Sequence, residues 1–432
     1  MKKVFAVVFI LLCTTLGTSQ SYQEIDTADT AQREAFLKKY NEKNERFVKQ
    51  LKKQYGGRTG RMMAERYEGF YKSFAKEIER GTFLFNSPFN SFVASLLNEL
   101  EAYHPAIADL DVLVSKDITA NAYCTADGTL VLNTGLLYWL ENEDQVAGVL
   151  AHEIAHKVLQ HSITMHLKQI EKEFSKDYKK QIKSLHKIEY NKSSKALALY
   201  KEQMYETGRE RRFKELQADS MAIVILENTR FDKNQYVKAL QLISQYDSIR
   251  PLGVRDSIYR EVFDLPQLSF NEDWLTEEDF SNYNYDFYEE KLHLDSIASH
   301  PEFVERVAKV LPPSVLADSI AVKEPSDAYK KISHIADFER VPNLYALEAY
   351  GVGIYLSLYQ LQQGIDDEYY KKWLGNCFQK VYEARKSYTL NRYLDRVDPK
   401  DHSKSYQKFL GFMWNLSLND IKYIAEYYSS AQ

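Results

Sequence analysis

Two histidines and a glutamate stand close together in the segment His152-Glu153-Ile154-Ala155-His156. Residues four apart lie one above the other on a helix, so both imidazoles can bind one tetrahedral zinc ion. Glu153 is rotated by roughly 100° from His152, where its carboxylate can take a proton from an attacking water and pass it to a leaving amine. This pattern predicts a metalloprotease. Two core histidines with hydrogen-bond partners and a chance glutamate are the alternative.

A single helix is predicted from Asn142 to Ile163, with the motif inside it. Asn142 is a favourable N-cap, and Gln145, three residues later, can reach back to it as in a capping box. The following residues are apolar on nearly every side, which is typical of a buried helix. Because unpaired polar groups are costly in such a helix, the two imidazoles and the carboxylate need partners.

A catalytic zinc site also needs a third protein ligand and one open position. The metzincin pattern HExxHxxGxxH requires glycine and histidine where this chain has Leu159 and Ser162, which excludes that class. A thermolysin-type ligand fits poorly, because Glu171 and Glu173 lie too close to the motif in a charged run. Glu215 is the remaining candidate for the third ligand.

Three motifs in order resemble the HtpX-like and CAAX-prenyl-protease family of zinc metallopeptidases. They are HExxH at residues 152–156, ExxAD at residues 215–219, and SHPxxxxR at residues 299–306. The resemblance covers roughly residues 85 to 312 and implies a zincin-like metalloprotease domain. The chain departs from the family pattern in three places: a charged insertion at 165–212, an acidic Tyr-rich insertion at 250–292, and Cys124.

The resemblance implies a role for each of the motif residues. His152, His156 and Glu215 would bind one zinc ion per chain, and Glu153 would be the general base and acid. Asp219, which shares a helical face with Glu215, would accept a hydrogen bond from a ligand histidine and so orient it.

His300 and Arg306 are implied to lie near the cleft. There they would stabilise the oxyanion or occupy the open metal position in a resting state. A turn at the start of a helix is the alternative for His300-Pro301. We interpret His161 as a helix-end residue or an outer partner of the site rather than as a ligand.

The remaining patterns predict a mainly α fold with a small β-sheet. Alternating apolar residues at 110–115 indicate a strand, and residues 121–125 and 129–133 flank a turn as in a hairpin. An extended substrate could add to the edge of such a sheet, and a purely structural hairpin is the alternative.

The chain is expected to divide into a signal peptide, two helical regions and a central domain. In chain order these are a signal peptide at 1–20, an N-terminal helical region at 21–84, the zinc metallopeptidase domain at 85–312 and a C-terminal helical domain at 320–432. The N-terminal region is predicted to form two helices, broken at Gly56-Gly57. We expect the first insertion to be a solvated helical hairpin and the second to be irregular.

The first twenty residues combine a basic start, an apolar run and small residues before a cleavage site, as in secretory signals. This predicts a secreted or periplasmic protein. Lipoprotein anchoring is disfavoured because Leu12 rather than a small residue precedes Cys13. No later run is apolar and long enough to span a membrane. The net charge of −5 excludes an overall basic surface, so nucleic acid is not an expected partner. Whether Cys124 and Cys377 pair is left open.

The sequence therefore favours a zinc endopeptidase that acts on protein or peptide substrates. By analogy with relatives that carry helical repeats, it could work in envelope protein quality control, with residues 326–428 contacting protein partners. A latent protease fold that acts by binding, as a chaperone or assembly factor, is the second hypothesis. A helical structural protein with a chance HExxH is the third.

Overall fold

The computed structural model describes residues 22–186, 192–249, 253–276, 303–311, 319–398 and 402–430. Most of these residues are helical, and one four-stranded sheet lies among the helices. The fold class predicted from the sequence, mainly α with a small β-sheet, is confirmed. The predicted signal peptide and the Ser299-His300-Pro301 segment lie outside the described residues.

The sheet is assembled from four short strands in the order β1-β2-β4-β3. They are β1 (Phe83–Leu84), β2 (Asp111–Ser115), β3 (Ala122–Cys124) and β4 (Thr129–Asn133). The central strands β2 and β4 are parallel, and the outer strands run antiparallel to their neighbours. Strands β3 and β4 form the predicted hairpin, whose turn contains Gly128 at a φ of 91°.

Both faces of the sheet are covered by helices, so its side chains alternate between two apolar clusters. One face packs on α1 (Thr30–Tyr55) and α2 (Gly57–Glu79) through Val131, and the other face packs on α3 (Pro88–Tyr103) and the HExxH helix through Leu132. The predicted break between α1 and α2 is confirmed at Gly56 and Gly57, which both have positive φ.

In the central part of the chain, the described residues form six helices in and around the motif. They are α4 (Thr134–Trp139), α5 (Glu143–Val158), α6 (His161–Phe174), α7 (Lys176–His186), α8 (Lys192–Leu226) and α9 (Asn234–Ile249).

One helix boundary predicted for this part is wrong. The HExxH helix does not continue to Ile163, because Gln160 adopts a left-handed conformation (φ 53°, ψ 37°) and a new helix begins at His161. Helix α8 runs without interruption from the charged insertion to the residues of the ExxAD motif.

The segment predicted to be an irregular insertion, residues 250–292, is partly helical. It contains α10 (Asp256–Phe263) and a 3₁₀ turn (Glu272–Leu275), whose apolar residues pack against the C-terminal helices. After it come α11 (Phe303–Val310), α12 (Asp327–Phe338), α13 (Arg340–Ala346), α14 (Tyr350–Gln362), α15 (Asp367–Lys386), α16 (Lys404–Asn415) and α17 (Leu418–Ser430). The predicted division of the chain into domains stays a prediction.

Candidate metal centre

Helix α5 is fixed at its start by side-chain caps. Asn142 accepts a hydrogen bond from the Gln145 backbone N–H at 3.0 Å, as predicted. The Gln145 side chain reaches back to the Glu141 backbone N–H at 2.8 Å, one residue before the predicted acceptor of a capping box. These bonds satisfy polar groups at the buried start of the helix, and the apolar residues after them hold its orientation in the core.

Gly148 allows helix α9 to approach α5 closely. A Cβ at this glycine would lie 2.8 Å from the Cβ of Tyr236 and would force the helices apart. The close approach places the Tyr236 hydroxyl 2.8 Å from Nδ1 of His152. A small residue in one helix therefore positions a polar partner for the first motif histidine.

The structure brings the three predicted ligands together. Nε2 of His152 lies 3.1 Å from Nε2 of His156, and these two nitrogens lie 3.3 and 3.5 Å from the carboxylate oxygens of Glu215. Each residue offers one ligand atom, and the three atoms lie within 4.8 Å of one another. Two histidines from α5 and a glutamate from α8 thus form one compact donor set.

This donor set fits a zinc ion. Ligands about 2.0–2.1 Å from a tetrahedral ion are separated by roughly 3.3 Å, close to the separations found here. Nδ1 of His152 is already engaged by Asp219 and Tyr236, so its Nε2 lone pair is directed towards His156 Nε2. With both rings protonated on Nδ1 only, two lone pairs would face each other at 3.1 Å, an arrangement that a shared cation stabilises.

Asp219 organises the charged side of the centre, behind His152. Oδ1 of Asp219 lies 3.0 Å from Nδ1 of His152 and accepts a hydrogen bond from the Tyr236 hydroxyl at 2.6 Å. Arg306 donates to both carboxylate oxygens, at 2.7 and 2.9 Å. Burial alone would raise the pKa of Asp219, but the hydrogen bonds from Arg306 and His152 lower it to about 2. Asp219 is therefore an ionised acceptor in the position predicted for it.

On the side away from the donor set, His156 contacts a second imidazole rather than a carboxylate. Its Nδ1 lies 3.0 Å from Nδ1 of His161, whose ring is nearly perpendicular to its own. Burial, followed by the nearby His152, lowers the pKa of His156 to about 3. The imidazole is therefore neutral, which is the form that binds a metal ion.

Arg306 and His300 have different outcomes in the structure. Arg306 lies on α11, where its Nε and Nη2 both donate to Asp219 while Nη2 stays 4.0 Å from Glu215. Its side chain is only 12 % exposed, so the guanidinium supports the His152 side of the centre. His300 lies outside the described residues, and its predicted role stays a prediction.

A cleft of about 720 Å³ opens over the donor set. Glu153 lines it beside the ligands, and Ala122 and Cys124 line it from strand β3. The cleft is also lined by the apolar side chains of Leu136, Val149, Leu240, Ile243 and Phe303. Within the described part of the chain, Cys124 and Cys377 do not form a disulfide with each other, which answers the question left open by the sequence. Burial raises the pKa of the Cys124 thiol to about 12.

Sequence reasoning did not find Tyr236 and Lys214 as residues of this site. Tyr236 lies in an amphipathic helix pattern. The feature that could have identified it is that the hydroxyl of a buried tyrosine needs a polar partner. Lys214 is 8 % exposed although it lies in a charged run, where a sequence pattern indicates solvated surface.

The region that contains the site matches a known protein family. The family model of peptidase family M48 matches residues 89–313, more than half of the 432-residue chain. This range contains the donor set, Glu153 and Arg306, and the match agrees with the resemblance carried by the three motifs. A comparison with curated proteins finds no match. Among the described residues, no helix has the length and apolar character that crossing a membrane requires.

Proposed function

This chain belongs to peptidase family M48, and on that premise we propose that it is a zinc-dependent endopeptidase acting on protein or peptide substrates. Metallopeptidase activity follows from the family. The identity of the metal as zinc, cleavage in the interior of the substrate chain and the roles of the residues are the proposal. The observation that carries it is the donor set of His152, His156 and Glu215, whose atoms lie 3.1–3.5 Å apart beside a cleft.

When bound to these three residues, zinc would supply a Lewis acid that polarises a peptide carbonyl and acidifies a water. Glu153 follows the first ligand and lines the cleft, which supports a role for its carboxylate in accepting the proton of the attacking water and donating it to the leaving amine. Asp219, held by Arg306 and Tyr236, keeps Nε2 of His152 directed at the donor set.

Strand β3 supports an extended peptide as the substrate. It is the last strand of the sheet and pairs on one side with β4. A peptide that adds to the other side of β3 would make main-chain hydrogen bonds and lie along the cleft. Such binding favours unfolded or extended segments of proteins. A role in envelope protein quality control and a secreted or periplasmic location stay predictions from the sequence.

The proposal is tested with the purified mature chain and two variants of the site. We expect about one zinc per chain in the wild type and in Glu153→Gln, and a large loss of zinc in Glu215→Ala, because the variant lacks one of three protein ligands. Cleavage of an unfolded, alkylated protein should fall at least ~100-fold in Glu153→Gln, which has no general base. Metal analysis and gel-based cleavage rates measure both effects.

The control is Glu171→Gln, the same chemical change at an exposed position of helix α6, which should leave zinc content and cleavage unchanged. Cleavage by Glu153→Gln at the wild-type rate would disprove the assignment of the base. Full zinc content in Glu215→Ala would show that another group is the third ligand. A wild type that binds zinc and unfolded protein without cleaving it would favour the chaperone hypothesis instead.

A further inference from the structure

A third imidazole contacts the donor set from behind His156. His161 is 95 % buried, its ring centroid lies 4.9 Å from that of His156, and the two Nδ1 atoms are 3.0 Å apart. In a continuous helix, residues five apart are rotated by roughly 140° from each other, so these rings could not meet. The contact therefore depends on the break between α5 and α6.

The break is made at Gln160, a residue other than glycine whose backbone adopts the left-handed conformation. Such a conformation costs roughly 1–2 kcal/mol for a residue other than glycine. The α6 helix begins directly afterwards, and the change of direction carries His161 back over His156. A strained turn that exists without a glycine needs contacts on either side that hold it in place.

Lys214 supplies such a contact from helix α8. Its ammonium group donates to the backbone carbonyl of His161 and to the hydroxyl of Thr164, both at 2.8 Å. Lys214 is 92 % buried and directly precedes Glu215 in the sequence. The residue next to the third ligand candidate therefore fixes the start of the helix that carries His161.

The hydrogen-bonding capacity of imidazole assigns the protons. A neutral imidazole has one N–H and one lone pair. If His156 offers the Nε2 lone pair to a cation, its proton is on Nδ1 and is donated to Nδ1 of His161. His161 must then carry its own proton on Nε2, a buried nitrogen that has no hydrogen-bond partner within the described structure. The pair has one consistent arrangement, in which His161 is the acceptor.

We propose that His161 is a positioning residue of the zinc site: it accepts the Nδ1 proton of His156, fixes the tautomer and orientation of that ring, and is itself held by Lys214. This inference rests on the zinc site proposed above. It gives the two ligand histidines different supports, since His152 donates to a carboxylate and its tyrosine partner whereas His156 donates to a neutral imidazole.

The test compares His161→Leu, which removes the acceptor, with His161→Asn, whose amide oxygen can take the position of Nδ1. Zinc affinity is measured in the full mature chain by competition with a chromophoric chelator, and the visible spectrum of the Co²⁺-loaded chain reports the ligand geometry. We expect His161→Leu to weaken zinc binding ~10–100-fold, as is usual when the outer partner of a ligand is lost, and to change the Co²⁺ spectrum. His161→Asn should restore most of both.

His166→Leu is the matched control. His166 lies on the same helix, lines the same cleft and packs against the ring of Tyr67, but its buried Nδ1 has no hydrogen-bond partner within the described structure. This variant should keep the zinc affinity and the Co²⁺ spectrum of the wild type. A loss in His166→Leu equal to that in His161→Leu would mean that any apolar change in the cleft wall has this effect, and would overturn the inference.

The role of Lys214 is tested by Lys214→Met. This variant should weaken zinc binding in the same direction, and the double variant with His161→Leu should be no weaker than His161→Leu alone, because both changes act through one contact. Wild-type zinc affinity and Co²⁺ spectrum in His161→Leu would overturn the inference and leave the proposed function standing. A wild type without zinc affinity would overturn both.

Discussion

The region around the HExxH helix and the C-terminal helical region bury different kinds of side chain. Around the helix, His152, His161, Lys214 and Asp219 are all at least nine-tenths buried. The C-terminal cluster, built from residues 254–274 and 338–428, is instead dominated by aromatic and aliphatic side chains. The polar side chains that the described residues bury after residue 330 are Glu339, Arg340, Asn343, Ser357 and Gln360.

This difference teaches where the fold places chemistry and where it gains stability. Burying a charged group is unfavourable unless every hydrogen-bonding atom has a partner, whereas burying aromatic surface stabilises directly. Near the metal centre the polar groups are connected in a network, since Asp219 accepts from both Arg306 and Tyr236. The network gives precise positions rather than stability, and the C-terminal cluster gives stability without a polar site.

The largest effect is expected when the buried ion pair of the metal centre is broken. Asp219→Asn leaves the Arg306 charge without its carboxylate and His152 without its ionised acceptor. We expect the free energy of unfolding to fall by about 3–5 kcal/mol and zinc affinity to fall ~10–100-fold. Urea unfolding and chelator competition measure the two quantities.

The double variant Asp219→Leu with Arg306→Leu separates position from stability. Replacing a buried ion pair by apolar side chains of similar size is often neutral, so this variant should regain most of the lost stability. Zinc affinity should stay low because His152 is no longer oriented. Recovery of zinc affinity together with stability would show that the pair only stabilises the fold, and would remove the contrast between the two regions.

The second effect is expected in the C-terminal cluster. Phe412 is fully buried and its ring contacts those of Tyr259, Phe263 and Trp274. Phe412→Ala should reduce the free energy of unfolding by about 3–5 kcal/mol because it leaves a cavity, while the folded chain keeps its zinc affinity. Tyr388→Ala, at a side chain that is 96 % exposed, is the control and should change neither quantity. A clear loss of zinc affinity in Phe412→Ala would mean that the two regions are coupled.

The sequence predicts those parts of the candidate site that depend on local spacing. The spacing of His152 and His156, and that of Glu215 and Asp219, is local, so periodicity alone places each pair on one helical face. The Asn142 cap and the β3–β4 hairpin are local patterns as well. The structure adds that the two helices meet with the donor atoms in contact.

The remaining features depend on contacts between distant segments. No glycine or asparagine in the sequence indicates the left-handed conformation at Gln160. That conformation is held instead by the hydrogen bond of Lys214 and by the contact of His156 with His161. The charged pattern at Lys214 is typical of surface, yet the side chain is buried. Such features need the tertiary structure, since each residue's own preference points elsewhere.

The smallest effect concerns Asp111, a buried carboxylate that joins the sheet to the N-terminal helices. It accepts hydrogen bonds from Lys39 and, at 2.7 Å, from Lys43. Burial would raise the pKa of Asp111, but the hydrogen bonds from these two lysines lower it below its usual value. The folded chain therefore binds fewer protons at this group than the unfolded chain, and the stability that it contributes is present above about pH 4 and lost as the pH falls.

Asp111→Asn keeps the shape of the side chain and removes its charge, so the free energy of unfolding at pH 7 should fall by about 1–2 kcal/mol. Urea unfolding at pH 7, 5, 4 and 3 should show this deficit shrinking towards zero as Asp111 of the wild type becomes protonated. The deficit of Phe412→Ala should stay constant over the same range, because no ionisable group is removed there. A constant deficit in Asp111→Asn would mean that Asp111 stabilises by packing, and that the sheet and the C-terminal cluster differ less in kind than their buried residues indicate.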